Sequence, residues 1–285
     1  MNVRGRNIGV CSWSLKPSGT ADLIAKVRQL GLEHLQLGMH EWIKVPDASF
    51  EPDLKLLKDS GLKLTSTTIG FEGEDYSSIA ALAKSAGFVP DDLWPRRREL
   101  AIRASGLTAR LGLNALEFHI GFIPSSNDPL YRVLVERVRE VATAMAKDGV
   151  DLLVETGQST GSELLQFLND TNCRNVGVNF DPANMLIYGS GDPITAIAIL
   201  NRHIKHVHLK DAIAPSQPRV QWGTEVRLGT GQVKLLEFLE ALDEIDYEGP
   251  LCIERESGTD RMGDIRIAIE LLRQAEWPDE DQAEQ

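Results

Sequence analysis

Cysteine is scarce in this chain: among 285 residues there are three, Cys11, Cys173 and Cys252, with no CxxC pair. That excludes a disulfide scaffold, and a reducing cytoplasm is the expected compartment. Two of the three, Cys11 and Cys252, lie in apolar strand-like runs, where a small thiol is commonly buried. Long apolar runs are missing as well. No stretch approaches the roughly 18 residues that span a membrane, and the mixed run from Asn7 to Leu15 has neither an apolar signal core nor a small-residue cleavage site. No membrane partner is expected. Positive charge is in deficit, 30 Lys and Arg against 42 Asp and Glu, and the net charge of −12 would repel a nucleic-acid backbone. The one dense basic run, Arg96 to Arg98, falls in a helical pattern and reads as a solvated helix face. There is no glycine-rich nucleotide loop and no clear phosphate cradle.

What is present suits a folded domain with a large core: 42% hydrophobic and 25% charged residues. A phrase recurs in which an amphipathic helix ends at glycine and an apolar run leads to a second glycine: Gly31 to Gly38, Gly61 to Gly70, Gly112 to Gly121 and Gly149 to Gly157. Glycine just past a helix takes the left-handed cap, so each copy reads as helix stop, short loop and strand. Asn7 to Trp13 adds a first strand, and Val176 to Asp181, Ile204 to Asp211 and Pro250 to Glu256 add three more, which makes eight.

Between them run helical stripes such as Leu134, Val138, Val141 and Met145, with Asp128-Pro129 and Asp192-Pro193 as helix starts. Strict alternation of strand and helix predicts a parallel sheet, and eight units at close to the 250 or so residues typical of the fold predict a single (β/α)8 barrel. The barrel is placed at residues 1–276, followed by an acidic frayed tail at 277–285. Phe71 to Leu93 and Ala212 to Thr230 are long enough to be lids.

In such a barrel the active site lies at the carboxyl ends of the strands. The polar residues there are His119, Glu155, Asp181, His208 and Glu254. Strand alternation puts Glu155, Asp181, His208 and Glu254 on faces shared with Leu153, Asn179, His206 and Cys252. Two Glu, one Asp and one His buried together need a cation, and a divalent metal supplies it. Oxygen-rich ligands favour Mn²⁺, Mg²⁺ or Co²⁺ over Zn²⁺. Each residue also has a plainer reading: Asp181 before Pro182 as a helix cap, Glu155 as a cap on the turn at Thr156, His208 as a core histidine, and Glu254 with Arg255 and Glu256 as a charge cluster. Their joint occurrence at successive strand ends favours the metal site. Trp13, His119, Lys210 and Glu256 are candidates for substrate contact, Lys210 with an ion pair to Asp211 or a neighbour as its plainer role; Trp13 and Phe71 could wall the pocket.

The phrases LVETGQ at Leu153, NFDPAN at Asn179, HVHLKD at His206, LGTGQV at Leu228 and GPLCIERE at Gly249 resemble, in this order, the xylose-isomerase-like barrel superfamily of sugar isomerases and epimerases. The resemblance covers essentially the whole chain. It implies that Glu155, Asp181, His208 and Glu254 bind one metal and that Glu155 and Glu254 also move the proton. Asn184 stands where epimerases of the family often carry a histidine, a departure at a substrate-contact position. Members that repair abasic DNA need extra zinc-binding histidines, which are missing from Leu62 to Gly70 and after His208.

The expected function is therefore a metal-dependent isomerase or epimerase of a small sugar or polyol, working through an enediolate held by the metal. A hydro-lyase on a keto-polyol, in the manner of an inosose dehydratase, and a non-catalytic sugar-binding barrel are the alternatives. Homo-oligomers are compatible with the sequence.

Overall fold

Eight parallel strands alternate with helices in the computed structural model, which describes residues 1–275. The acidic tail expected at 277–285 lies outside the described residues. The barrel strands are β2 (Arg6–Cys11), β3 (His34–Gly38), β4 (Lys63–Thr68), β5 (Ala115–Phe118), β6 (Asp151–Glu155), β7 (Val176–Phe180), β8 (Ile204–Leu209) and β11 (Leu251–Ile253). They pair in the order β2-β11-β8-β7-β6-β5-β4-β3, and β2 pairs with β3 to close the ring. A two-residue strand, β1 (Asn2–Val3), runs antiparallel to β2 beneath the barrel.

The two faces of each strand do different work. Outward residues such as Val10, Leu35, Leu116, Phe118, Val154, Val178 and Val207 are buried against the helix ring and form one continuous apolar core. Helix α5 (Pro129–Met145) buries Leu134, Val138, Val141 and Met145, the stripe its spacing predicts, and Asp128 caps its first turn through Leu130 N. Thr160 and Glu163 form a reciprocal capping box at the start of α6 (Gly161–Thr171). The inward face is polar: Gln36, Glu117, Asn179, His206 and His208 are all buried. Low in the ring, His206 Nε2 meets Thr65 Oγ1 at 3.0 Å, which makes it an interior contact rather than part of the rim.

Register shifts occur in this ring between Leu35 and Gln36 and between Val178 and Asn179. Such irregularities re-aim side chains beside active sites. Both Gln36 and Asn179 turn toward His208.

Two expectations need correcting, and both lid segments carry secondary structure of their own. The lid segment at 71–93 contains helix α3 (Ile79–Ser85), and the segment at 212–230 folds back as an antiparallel pair, β9 (Asp211–Ile213) with β10 (Thr224–Val226). Arg97, near the start of α4 (Trp94–Arg110), is not on a solvated face. Its guanidinium donates to Ser85 O and Gly87 O at 2.7 Å each and to Glu72 O at 2.8 Å, so it ties the first lid down. Asp181 does cap a helix, because α7 (Pro182–Tyr188) precedes α8 (Pro193–Leu200), the helix that begins at Asp192-Pro193. Among the described residues no helix is long and apolar enough to cross a membrane.

Candidate metal centre

Glu155 ends β6, Asp181 follows β7, His208 is the penultimate residue of β8 and Glu254 follows β11. Closing the ring brings one ligand-type atom from each within 4.8 Å of the others, and all four residues are buried. His208 Nδ1 points into the carboxylates, at 3.0 Å from Glu155, 3.2 Å from Glu254 and 3.6 Å from Asp181. Burial disfavours charge on that imidazole, but the Cys11 sulfur, then Glu254 and Asp181 beside it, outweigh burial and hold it well above the usual histidine range. In the metal-free protein its proton lies among the carboxylates, where a cation is needed.

The orientation of this ring is set from behind. Gln36 Oε1 accepts from His208 Nε2 at 2.6 Å and from the Cys11 thiol at 3.4 Å. A carbonyl oxygen can only accept, so Nε2 carries a proton and Nδ1 is the atom free to become a ligand. Asn179 Nδ2 lies 3.2 Å from both ring nitrogens and packs over the ring rather than on one lone pair.

Asp181 divides its carboxylate between two tasks. One oxygen accepts from Asn184 N at 2.9 Å and caps α7; the other, Oδ2, is buried with no hydrogen-bond partner. That oxygen lies 3.6 Å from both His208 Nδ1 and Lys210 Nζ, so its desolvation is offset by nearby positive charge and not by a hydrogen bond. Its position among three other ligand-type groups fits a divalent ion, and the oxygen-rich set matches hard cations. This cluster could hold a metal.

Around it the remaining predicted residues take defined places. His119 lies just past β5, and its Nε2 meets Glu155 Oε2 at 2.8 Å. Burial lowers the pKa of His119, but Glu155 overrides that and lifts it to about 10. Burial would raise Glu155 in turn, yet His119 and His208 hold it well below the ordinary carboxylate range. Asn184 Nδ2 donates to Glu155 Oε1 at 3.1 Å. Trp13 Nε1 donates to Glu254 Oε1 at 2.7 Å, and Lys210 Nζ donates to Glu254 Oε2 at 3.0 Å and to Glu256 Oε2 at 2.7 Å. Despite its burial Lys210 keeps its charge, because Glu254 and Glu256 hold it well above the usual lysine range. Its partners are these two glutamates and not Asp211, whose carboxylate instead accepts from the backbone N–H of Ala212, Gly229, Gly231 and Val233. Glu155 does not cap the turn at Thr156. Phe71 lines the cavity but mainly packs on Phe88 and Phe118.

Glu155 and Glu254 of this cluster line a cavity of ≈ 720 Å³, whose lining also includes residues that sequence reasoning passed over. Glu117 is one: burial, with Glu155 nearby, raises its carboxyl well above the usual range and so favours the protonated form, which can donate. It stands in the strand two residues before His119, so the alternation check applied to the other strands could have found it. His40 is another, and no strand-end signal marks it. Tyr76, Tyr188, Trp222 and Glu225 complete the rim.

The family model described as xylose isomerase-like TIM barrel matches residues 24–275. A solved structure of a xylose isomerase domain protein from Planctomyces limnophilus is 33% identical, covers 95% of this chain and 96% of its own, and superposes with a TM-score of 0.86. A xylose isomerase-like TIM barrel protein from Mycobacterium smegmatis, solved in complex with magnesium, is 18% identical over 95% of this chain and 96% of its own, with a TM-score of 0.72. D-psicose 3-epimerase from Clostridium cellulolyticum, solved with D-tagatose, is 18% identical over 95% of this chain and all of its own (100%), with a TM-score of 0.71. At these identities the last two bear on the fold. An uncharacterized protein from Methanocaldococcus jannaschii is 26% identical over 114 residues, 40% of this chain, and the match spans only 37% of that relative's length.

Proposed function

The chain belongs to the xylose isomerase-like TIM barrel family, and from that premise we propose that it is a divalent-metal-dependent isomerase or epimerase of a small neutral sugar. The observation that carries this reading is the convergence of Glu155, Asp181, His208 and Glu254, of which Glu155 and Glu254 line the cavity and Asp181 keeps one oxygen without a hydrogen-bond partner. When bound, the divalent ion would polarise the sugar's carbonyl and hydroxyl oxygens and stabilise the negative charge that develops on them.

The protein's own residues supply the rest. Glu155 and Glu254 come from strands three places apart round the ring, so a substrate between them meets a carboxylate on either side. One, as the anion, removes the proton next to the carbonyl, and the other, entering the cycle with a proton of its own, delivers that proton to the resulting enediolate. His119 on Glu155 favours the anion needed for proton abstraction, and Lys210 donates to Glu254. Trp13 and Asn184 fix the second oxygen of each through their N–H groups. Glu117, when protonated, would donate to a sugar oxygen.

The lining also bears on substrate charge. Glu74, Glu155, Glu225, Glu254 and Glu256 face the cavity against the two cationic groups Lys210 and His119, and no arginine does, so a phosphorylated sugar would find no bidentate clamp there. A neutral keto-sugar meets many acceptors instead.

The test is a panel of keto-sugars and inososes with added Mn²⁺, followed by NMR in deuterated water. Deuterium entering the carbon next to the carbonyl, with appearance of the isomer or epimer, is the expected result. Binding without any exchange would leave a sugar-binding barrel and overturn the catalytic reading.

A further inference from the structure

At the mouth of the cavity, away from the carboxylate floor, stands an aromatic wall that the proton-transfer machinery does not use. Tyr76 from the first lid and Trp222 from the second are stacked, with ring centroids 6.5 Å apart and planes at 28°. Trp222 meets Tyr188, at the end of α7, edge-on at 5.1 Å. All three line the cavity.

This wall is held firmly. Tyr76 OH donates to Glu74 Oε2 at 2.8 Å, and Glu74 Oε1 accepts from Gly87 N at 2.8 Å. The second lid is pinned to α7 through Gly223 N to Ile187 O at 2.8 Å and Arg219 N to Tyr188 O at 3.0 Å. A Cβ on Gly223 would lie 2.6 Å from Ile213 O and 2.8 Å from Ile187 Cα, so the chain next to Trp222 sits directly on its neighbours. Tyr76 nevertheless remains 55% exposed, an aromatic ring that folding leaves uncovered at the entrance.

Size points the same way. A cavity of ≈ 720 Å³ holds roughly two dozen waters at about 30 Å³ each, about twice the number of non-hydrogen atoms in a hexose. A monosaccharide on the floor would leave the aromatic mouth unfilled. The C–H face of a pyranose and the face of an aromatic ring both stack on such a wall, whereas the acids at the rim disfavour an anionic group there.

We propose that the site takes a keto-sugar glycoside, with the keto ring on the carboxylate floor and a second, uncharged ring stacked on Tyr76 and Trp222. The inference rests on the sugar-directed reading of the floor and extends it to the second ring. Stacking of one ring is worth about tenfold in affinity.

The experiment compares methyl and phenyl 3-keto-β-D-glucopyranoside by calorimetric titration of the Mn²⁺-loaded protein, for the wild type, Tyr76→Ala and Trp222→Ala, with folding of each checked by circular dichroism. The phenyl glycoside is expected to bind about tenfold tighter than the methyl glycoside to the wild type. Either substitution should shrink that preference to about twofold while leaving the methyl glycoside's affinity unchanged. Tyr76 is largely exposed, so its variant serves even where Trp222→Ala does not fold. Equal affinities in the wild type, a preference that survives Tyr76→Ala, or failure of both glycosides to bind would overturn the proposal. Deuterium exchange in the same samples reports on the chemistry separately. A ring preference without exchange keeps the second-ring site and removes the proton transfer, and exchange without a preference does the reverse.

Discussion

His208 depends on a residue that is not beside it in sequence. Gln36 holds its Nε2 at 2.6 Å from the opposite side of the barrel interior, and that bond selects the nitrogen that faces the carboxylates. Removing such an outer partner typically costs about 10- to 100-fold in metal affinity. Gln36→Leu is therefore expected to weaken Mn²⁺ binding by that factor in calorimetric titration, and unchanged affinity would show that Gln36 only fills space. The two glutamates are expected to behave differently. Glu155→Gln and Glu254→Gln, each measured at full metal occupancy, should lose about 10² to 10⁴ in kcat, the usual contribution of a positioned base; near-normal turnover in both would remove them from the chemistry. At this scale the cluster that could hold a metal was legible, because four chemistry-bearing residues at successive strand ends are conspicuous in a sequence. Gln36 and Asn179 were not, since their approach to His208 depends on register shifts that no spacing reveals. For Asp181 the cap and ligand readings were set against each other, whereas one carboxylate has an oxygen for each.

Among the elements, strands and capped helices were readable and the lids were not. The Asp128 and Asp192 caps and the glycine-stopped helices carry local signals that fix their ends. The β9–β10 pair has only three residues in each strand, too short for an alternation pattern, and its position is fixed by Asp211 binding the backbone of the following loop. That loop admits little change. A Cβ on Gly231 would lie 2.3 Å from Asp211 Oδ1 and 2.7 Å from Ala212 O, so Gly231→Ala should destabilise the protein by about 1–3 kcal/mol. For the first lid, Arg97→Met would leave the carbonyls of Glu72, Ser85 and Gly87 without their charged donor. A loss of about 2–4 kcal/mol is expected in urea titration. A change below about 0.5 kcal/mol would mean the lid is held by other contacts. The basic run gave no hint of this anchor, because burial of one arginine among three depends on the lid folding over it.

For the whole molecule, the count of strand–helix units determines closure, and closure turns scattered residues into a site. A cation held by this polar interior would add to stability. A ligand that binds only the folded state at about 100 times its Kd adds about 2.7 kcal/mol, which for a protein of this size corresponds to roughly 4–5 °C in Tm. Saturating Mn²⁺ should raise Tm by that amount and chelator should reverse it. The net charge of −12 and the missing zinc-binding histidines predict that DNA with abasic sites is not cut under the same conditions. The most direct test of the centre itself is metal stoichiometry, by calorimetry and elemental analysis, for the wild type, Asp181→Ala and His208→Ala. A site at this cluster predicts one tightly held Mn²⁺ per wild-type chain and loss of tight binding in both variants, and stoichiometric binding unchanged in the two variants would contradict it.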